Sequence, residues 1–219
     1  MVNEEYEWEQ IPFTKLFGGI MTYQDRLLFG HIYHIYNRGN NCEALFKEES
    51  NYYYFLDLYK KYIHPIAHLY AYCLLPTHFH FMVRIKKWDK IENCIHDESQ
   101  IWTQFRTFLG TYTKAINKAY QRSGHLFEGR YSRKIVQKDE YFYRLIVYIH
   151  QNPQSHGIVM DYRNWPFSSY TAYIRKDRRS LVAKEVLFDE DLYNTIVETH
   201  EFLSWRNVCE LSVGGNGFL

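Results

Sequence analysis

The chain of 219 residues is short of several things, and each shortage excludes a class of protein. No apolar run approaches the roughly 20 residues that a membrane-spanning helix needs. The opening segment, with Glu4, Glu5, Glu7 and Glu9, is unlike a secretory leader. An intracellular protein with no membrane partner is expected. Cysteine is scarce too: Cys42, Cys73, Cys94 and Cys209 include no close pair, which argues against a structural zinc site or a disulfide framework. Cys73 lies in an apolar strand pattern and reads as a buried thiol. Net charge is almost absent at +1, so charge excess by itself gives no reason to expect a nucleic-acid partner.

What is present suits one sizeable core with an extension. Tyrosine is abundant, 21 in all, so any single tyrosine is weak evidence of chemistry. The distribution of charge says more than its sum. Between Arg106 and Lys138 stand Arg106, Lys114, Lys118, Arg122, Arg130, Arg133, Lys134 and Lys138, against the one acid Glu128. Such a stretch can contact several phosphates; a solvated basic helix and loop explains it equally well. Arg175, Lys176, Arg178 and Arg179 form a second basic cluster.

Along the chain, β-forming residues predict a strand over 31–36, stopped by Asn37-Arg38-Gly39-Asn40-Asn41. Helical spacing follows over 49–63, then strands over 67–75 and 78–85 separated only by Pro76-Thr77. A polar loop spans 86–97, and a second helix runs over 99–120 with Ile101, Phe105, Phe108, Leu109, Tyr112 and Ile116 as its buried stripe. A fourth strand is expected over 131–137. A third helix is expected to start near Asp139 as N-cap and to stop before Pro153. The order β-α-β-β-α-β-α predicts an α+β, ferredoxin-like or RRM-like fold, one four-stranded antiparallel sheet backed by helices. Residues 1–30 read as an N-terminal extension and 31–157 as the core. Residues 158–219 read as a C-terminal extension leaning on it, with a short helix over 189–203 and a flexible Gly-rich tail.

Period 2 in the third strand puts His78, His80, Met82 and Arg84 on one face, and Phe79, Phe81, Val83 and Ile85 on the other. The second set suits a face packed against helices. The first leaves two imidazoles side by side on an open sheet face that can receive a ligand. His-x-His alone is a weak metal signal, since paired or water-facing histidines are commoner. Tyr148 and Asn152, four apart on the third helix, share one face. The apolar stripe Phe142, Leu145, Ile146 and Ile149 overlaps their direction only in part. Tyr148 can therefore aim its hydroxyl at the histidines with Asn152 as a third ligand. The plainer alternative is a tyrosine that anchors the helix and an asparagine that caps its end. Two imidazoles and an amide oxygen would suit Mg2+ or Mn2+.

These residues resemble a known family, the IS200-like insertion-sequence transposases of the HUH endonuclease superfamily, and among them most closely the REP-associated tyrosine transposases. Its histidine–bulky hydrophobic–histidine motif matches His78-Phe79-His80, preceded by Leu75-Pro76-Thr77. Its Gly-His-Leu-Phe-x-Gly-Arg-Tyr stretch matches Gly124 through Tyr131. Its Tyr-Ile-His-x-Asn-Pro segment falls on Tyr148 through Pro153, and its Trp-Pro-x-Ser-Ser-Tyr on Trp165 through Tyr170. Coverage runs from about His31 to Tyr173. The resemblance implies metal ligands His78, His80 and Asn152, and Tyr148 as nucleophile. It further implies cleavage of single-stranded DNA, often at the foot of a hairpin, through a 5′-phosphotyrosine with release of a 3′-hydroxyl. DNA contacts are then expected from Arg106, Lys114, Lys118, Arg122, Arg130, Arg133 and Lys134. A cytoplasmic, nucleoid-associated location follows, as a monomer or homodimer. Tyr112, Tyr131 and Tyr141 are the rival tyrosines; Tyr112 has Ile116 rather than a polar residue one turn on. Two other functions compete: an inactive or domesticated binder of DNA or RNA hairpins, and a metal-dependent hydrolase of small phosphoesters.

Overall fold

Alternation of large apolar residues builds the sheet. The computed structural model describes residues 26–91, 97–137 and 139–213; most of the expected N-terminal extension, the segment 92–96 and the tail from 214 lie outside the described residues. Strands β1 (Ile32–Arg38), β2 (Ala67–Leu75), β3 (His78–Ile85) and β4 (Ser132–Ile135) pair in the order β2-β3-β1-β4. Every neighbouring pair is antiparallel. Helix α1 (Glu49–Tyr62) links β1 to β2, and α2 (Glu98–Ala119) links β3 to β4. This is the expected ferredoxin-like split β-α-β arrangement. Strand β1 continues past the expected turn because Asn37 and Arg38 still pair with Phe79 and His78.

Tyr33, Ile35, Phe79, Phe81, Val83 and Ile85 face α1 and α2, burying against Phe55, Tyr59, Phe105 and Phe108. Asp97 caps α2 by accepting a hydrogen bond from the Ser99 amide at 3.0 Å, which sets its start at Glu98. Beyond β1 the chain turns over residues 40–43 and folds back on Gly39, where a Cβ would lie 1.9 Å from the Glu43 carbonyl oxygen. No side chain fits against that backbone. Gly39→Ala is therefore expected to destabilise by about 2–3 kcal/mol or more, read from the urea midpoint; an unchanged midpoint would mean that the turn can open.

The second sheet face is not open, contrary to the sequence-based expectation. Helix α3 (Asp139–Ser155) crosses it over β2 and β3, burying Phe142, Leu145, Ile146 and Ile149 against Tyr70, Ala71, Cys73, Leu75 and Met82. Each fully buried large apolar side chain contributes roughly 1.5–3 kcal/mol, which is what holds α3 down. A bulge at Tyr70, between the pairs Leu69–Val83 and Ala71–Met82, turns Tyr70 and Ala71 together toward this second core. Cys73 is fully buried there, as its pattern implied.

Helix α3 also runs through Pro153 instead of stopping before it. Pro153 sits in the last turn, so its missing N–H forfeits one bond, to the Ile149 carbonyl. The end is closed by a Schellman motif: the Ile158 amide donates to the Pro153 carbonyl, the Gly157 amide to the Gln154 carbonyl, both at 2.9 Å, with Gly157 at φ +66°. Asp139 is the first helical residue and not the cap.

After α3, residues 165–169 run along the outer edge of β2, with the Leu74 amide donating to Phe167 and the Ser169 amide to Tyr72. Helices α4 (Tyr170–Ile174), α5 (Lys184–Phe188) and α6 (Glu190–Val213) follow; α6 is longer than the expected 189–203. Tyr173, Val186, Leu187 and Ile196 extend the second core. A polar bridge crosses it: His150 Nε2 lies 2.7 Å from Ser169 Oγ, and His150 Nδ1 lies 2.9 Å from His200 Nε2.

Burial holds His200 neutral, its pKa pushed down to about 4, and burial with the neighbouring His200 holds His150 well below the ordinary imidazole range. An unfolded imidazole takes up a proton near pH 6.5, the folded His200 only near 4. Stability should thus be full above about pH 6.5 and fall as pH drops toward 4, by up to about 3 kcal/mol for His200 alone. Urea midpoints at pH 7.5 and 4.5 read this directly; equal midpoints would refute it.

Candidate active site

The two sheet histidines stand where register puts them. On β3, His78 and His80 project to the second face, with ring centroids 5.3 Å apart and planes at 90°. Antiparallel pairing sets Arg38 beside His78 and Tyr36 beside His80, with His34 two residues further along β1. These three β1 residues share the histidines' face, and β4 adds Ser132 opposite Tyr36 and Lys134 opposite His34. The rim thus carries the cations of Arg38 and Lys134, the first of them paired with Glu128.

Helix α3 closes the site from above. The Tyr148 ring lies edge-on to His80 at 5.6 Å between centroids and to His34 at 6.3 Å, so the nucleophile candidate reaches the histidines of its own chain. Asn152, one turn on, is fully buried. Its Nδ2 donates to the Tyr148 carbonyl at 3.0 Å. A carbonyl can only accept, so this bond fixes which end of the amide is nitrogen. It leaves Oδ1, which accepts no hydrogen bond, turned away from the helix backbone. A buried oxygen without a donor is costly, and a cation is a partner that would satisfy it.

Among the described residues no three His, Cys, Asp or Glu side chains form a metal-binding group. Asn152 offers an amide oxygen as a candidate third donor beside His78 and His80. Both imidazoles are held neutral and ready to donate lone pairs. Burial first, then His156 and Arg38, push His78 down to about 4, with the Asn152 amide offsetting part of this. Burial and the neighbouring His34, His78 and His156 hold His80 well below the ordinary imidazole range. The donor set fits Mg2+ or Mn2+, the imidazoles favouring Mn2+. Burial also raises the Tyr148 phenol above its ordinary pKa, opposed by the Asn152 amide. Tyr148 is no better an acid than a free phenol and needs help to react.

Two of the three rivals fall away on geometry, and the third stands beside the site. Tyr112 is fully buried and donates to the Leu45 carbonyl at 2.7 Å; Tyr131 is buried in the first core. Tyr141 lies near Tyr36 and Tyr148, with burial pushing its phenol up to about 12.

The basic residues do not form one patch. Arg106, Lys114 and Lys118 are exposed on α2, which covers the sheet face opposite the site. Arg122 is clamped to Glu43, its Nε 2.9 Å from Oε1, and to Asn117; its guanidinium is a structural tie. Arg130 is exposed in the loop before β4. Arg133 lies over Tyr131, while Lys134 reaches toward His34 and lies over Tyr141. In the second cluster Lys176 pairs with Glu190 at 3.0 Å and Arg179 with Asp177 at 3.9 Å.

Sequence reasoning missed His34, Arg38 and His156. His156, exposed just past α3, sets its ring 4.6 Å from that of His78, and Arg38 is held by Glu128 in a two-pronged ion pair. The alternation of His34, Tyr36 and Arg38 was visible, but nothing local says which strand lies beside β1.

No family model matches the chain. A Haemophilus influenzae (strain ATCC 51907 / DSM 11121 / KW20 / Rd) protein named for the REP-associated tyrosine transposases is 29% identical over 103 residues, 46% of this chain and 57% of that protein. The match thus spans little more than half the length of that relative. A solved structure of the REP-associated tyrosine transposase bound to a REP hairpin aligns with a TM-score of 0.55 at 15% identity, over 78% of this chain and 94% of that one. At that identity the likeness is one of fold. By sequence over part of its length and by fold over most of it, this chain is similar to the REP-associated tyrosine transposases.

Proposed function

We propose that the chain is an endonuclease and strand-transfer enzyme that acts on hairpin-bearing single-stranded DNA, with Tyr148 as nucleophile. The observation that carries this reading is one meeting of groups. The Tyr148 ring, the His78–His80 pair and an Asn152 oxygen without a donor lie together in a single chain. His78, His80 and Asn152 would hold a Mg2+ or Mn2+ ion, whose chemistry when bound is to neutralise the scissile phosphate and stabilise developing charge.

The protein's own groups do the rest. Oη of Tyr148 attacks phosphorus, forming the phosphotyrosine on the 5′ side as the bond from phosphorus to the 3′-oxygen breaks. The 3′-oxygen departs with its electron pair and takes up a proton to become a hydroxyl; the phenol proton goes to solvent. The ester retains the energy of the broken bond, so a later 3′-hydroxyl can reverse the step without ATP. Lys134, and Arg38 once it exchanges Glu128 for phosphate, would contact phosphates beside the cut from the site's face of the sheet. Arg106, Lys114 and Lys118 would be reached only by DNA that wraps toward the opposite face.

A hairpin binder that does not cut is the competing reading, favoured by the burial that raises the Tyr148 phenol. Labelled single strands with varied hairpins, incubated with Mn2+, separate the two. A covalent product that survives denaturation and maps to Tyr148 supports the enzyme. Tight binding with no such product on any strand supports the binder.

A further inference from the structure

We propose that His34 is a positioning residue that sets His80 for metal ligation by accepting a hydrogen bond from the N–H of His80 Nδ1; this rests on reading the His78–His80 pair as ligands. His34 Nε2 lies 2.9 Å from His80 Nδ1, and both side chains are buried, at 5% and 7% exposure. The rings stack with centroids 5.1 Å apart and planes at 24°.

One proton must lie between those nitrogens, and only two arrangements exist for neutral rings. If His34 donates, the His80 hydrogen sits on Nε2 and the ring has no lone pair left for a metal. If His80 donates, Nε2 is free. Ligation requires the second, with the hydrogen of His34 on its own Nδ1.

Packing fixes the His34 ring with its Nε2 against His80 Nδ1. Tyr36, at 4.7 Å between centroids, and Tyr148, edge-on, hold its ring from two sides. The other candidate ligand is built the same way: His78 Nδ1 lies 3.1 Å from Thr77 Oγ1. In each imidazole Nδ1 has a partner, and Nε2 is the atom available to a metal when Nδ1 carries the hydrogen. Such outer partners orient a ligand and raise its basicity.

The test compares His34→Leu, which removes the acceptor, with His34→Gln, whose Oε1 falls near the lost Nε2. Long-range proton–nitrogen NMR of the metal-free protein should find His80 protonated on Nδ1 in the parent and in the glutamine variant. Mn2+ titration followed by electron paramagnetic resonance should show His34→Leu weaker by about 10–100-fold and His34→Gln close to the parent. Urea midpoints check that each variant is folded, and if His34→Leu is not, the parent's tautomer and the glutamine variant decide. A parent with His80 protonated on Nε2, or a folded His34→Leu protein that binds Mn2+ as the parent does, overturns the inference. A parent that binds no Mn2+ overturns the metal reading instead, and its tautomer still decides the pairing of the two rings.

Discussion

Tyr148→Phe is expected to abolish the covalent protein–DNA product while leaving hairpin affinity and thermal stability close to those of the parent. The substitution removes one oxygen and keeps the ring that packs against His80 at 5.6 Å. Loss of a sole nucleophile lowers rate by at least about 1000-fold in comparable cases. Binding draws on phosphate contacts spread over many residues, which one phenol does not govern. Labelled strand, Mn2+ and a denaturing gel measure the product; a salt titration of affinity measures binding. A Tyr148→Phe protein that still formed the adduct would point to Tyr141, the neighbouring phenol.

Asn152→Leu separates chemistry from stability more sharply. Leucine keeps the branched outline of asparagine and removes the buried Oδ1 that accepts no hydrogen bond. It also deletes the Nδ2 bond to the Tyr148 carbonyl, a typical loss of about 1 kcal/mol. Freeing the interior of an unsatisfied oxygen is worth about 1–3 kcal/mol. Stability should therefore hold or rise slightly. Adduct formation should fall by about 100-fold or more if that oxygen is a ligand. A variant that loses stability yet cuts normally would make Asn152 a helix-end residue and nothing more, the plainer reading of its place before Pro153.

Much of this was written in local pattern. Alternation in His78–Ile85 named both the buried face and the histidine face, and helical spacing on α3 put Tyr148 and Asn152 together, because both periods are short-range properties of the backbone. The same logic fails at Pro153. A proline usually ends a helix, but here Gly157 and two capping bonds carry it one turn further, and those lie downstream of the signal. It fails at Arg122 as well, a cation in a basic run by sequence and the partner of Glu43 in space.

The sequence by itself determined the order of elements, the two faces of β3 and the pair of side chains that α3 can present. Tertiary structure alone decided that the second sheet face is covered, that His34 meets His80 across 46 residues of chain, and that the α2 cations lie on the side away from the site. The division has a physical cause. Periodicity tells a residue which way to point relative to its own backbone. What it points at depends on strand order and register, which the buried surface of the whole domain selects.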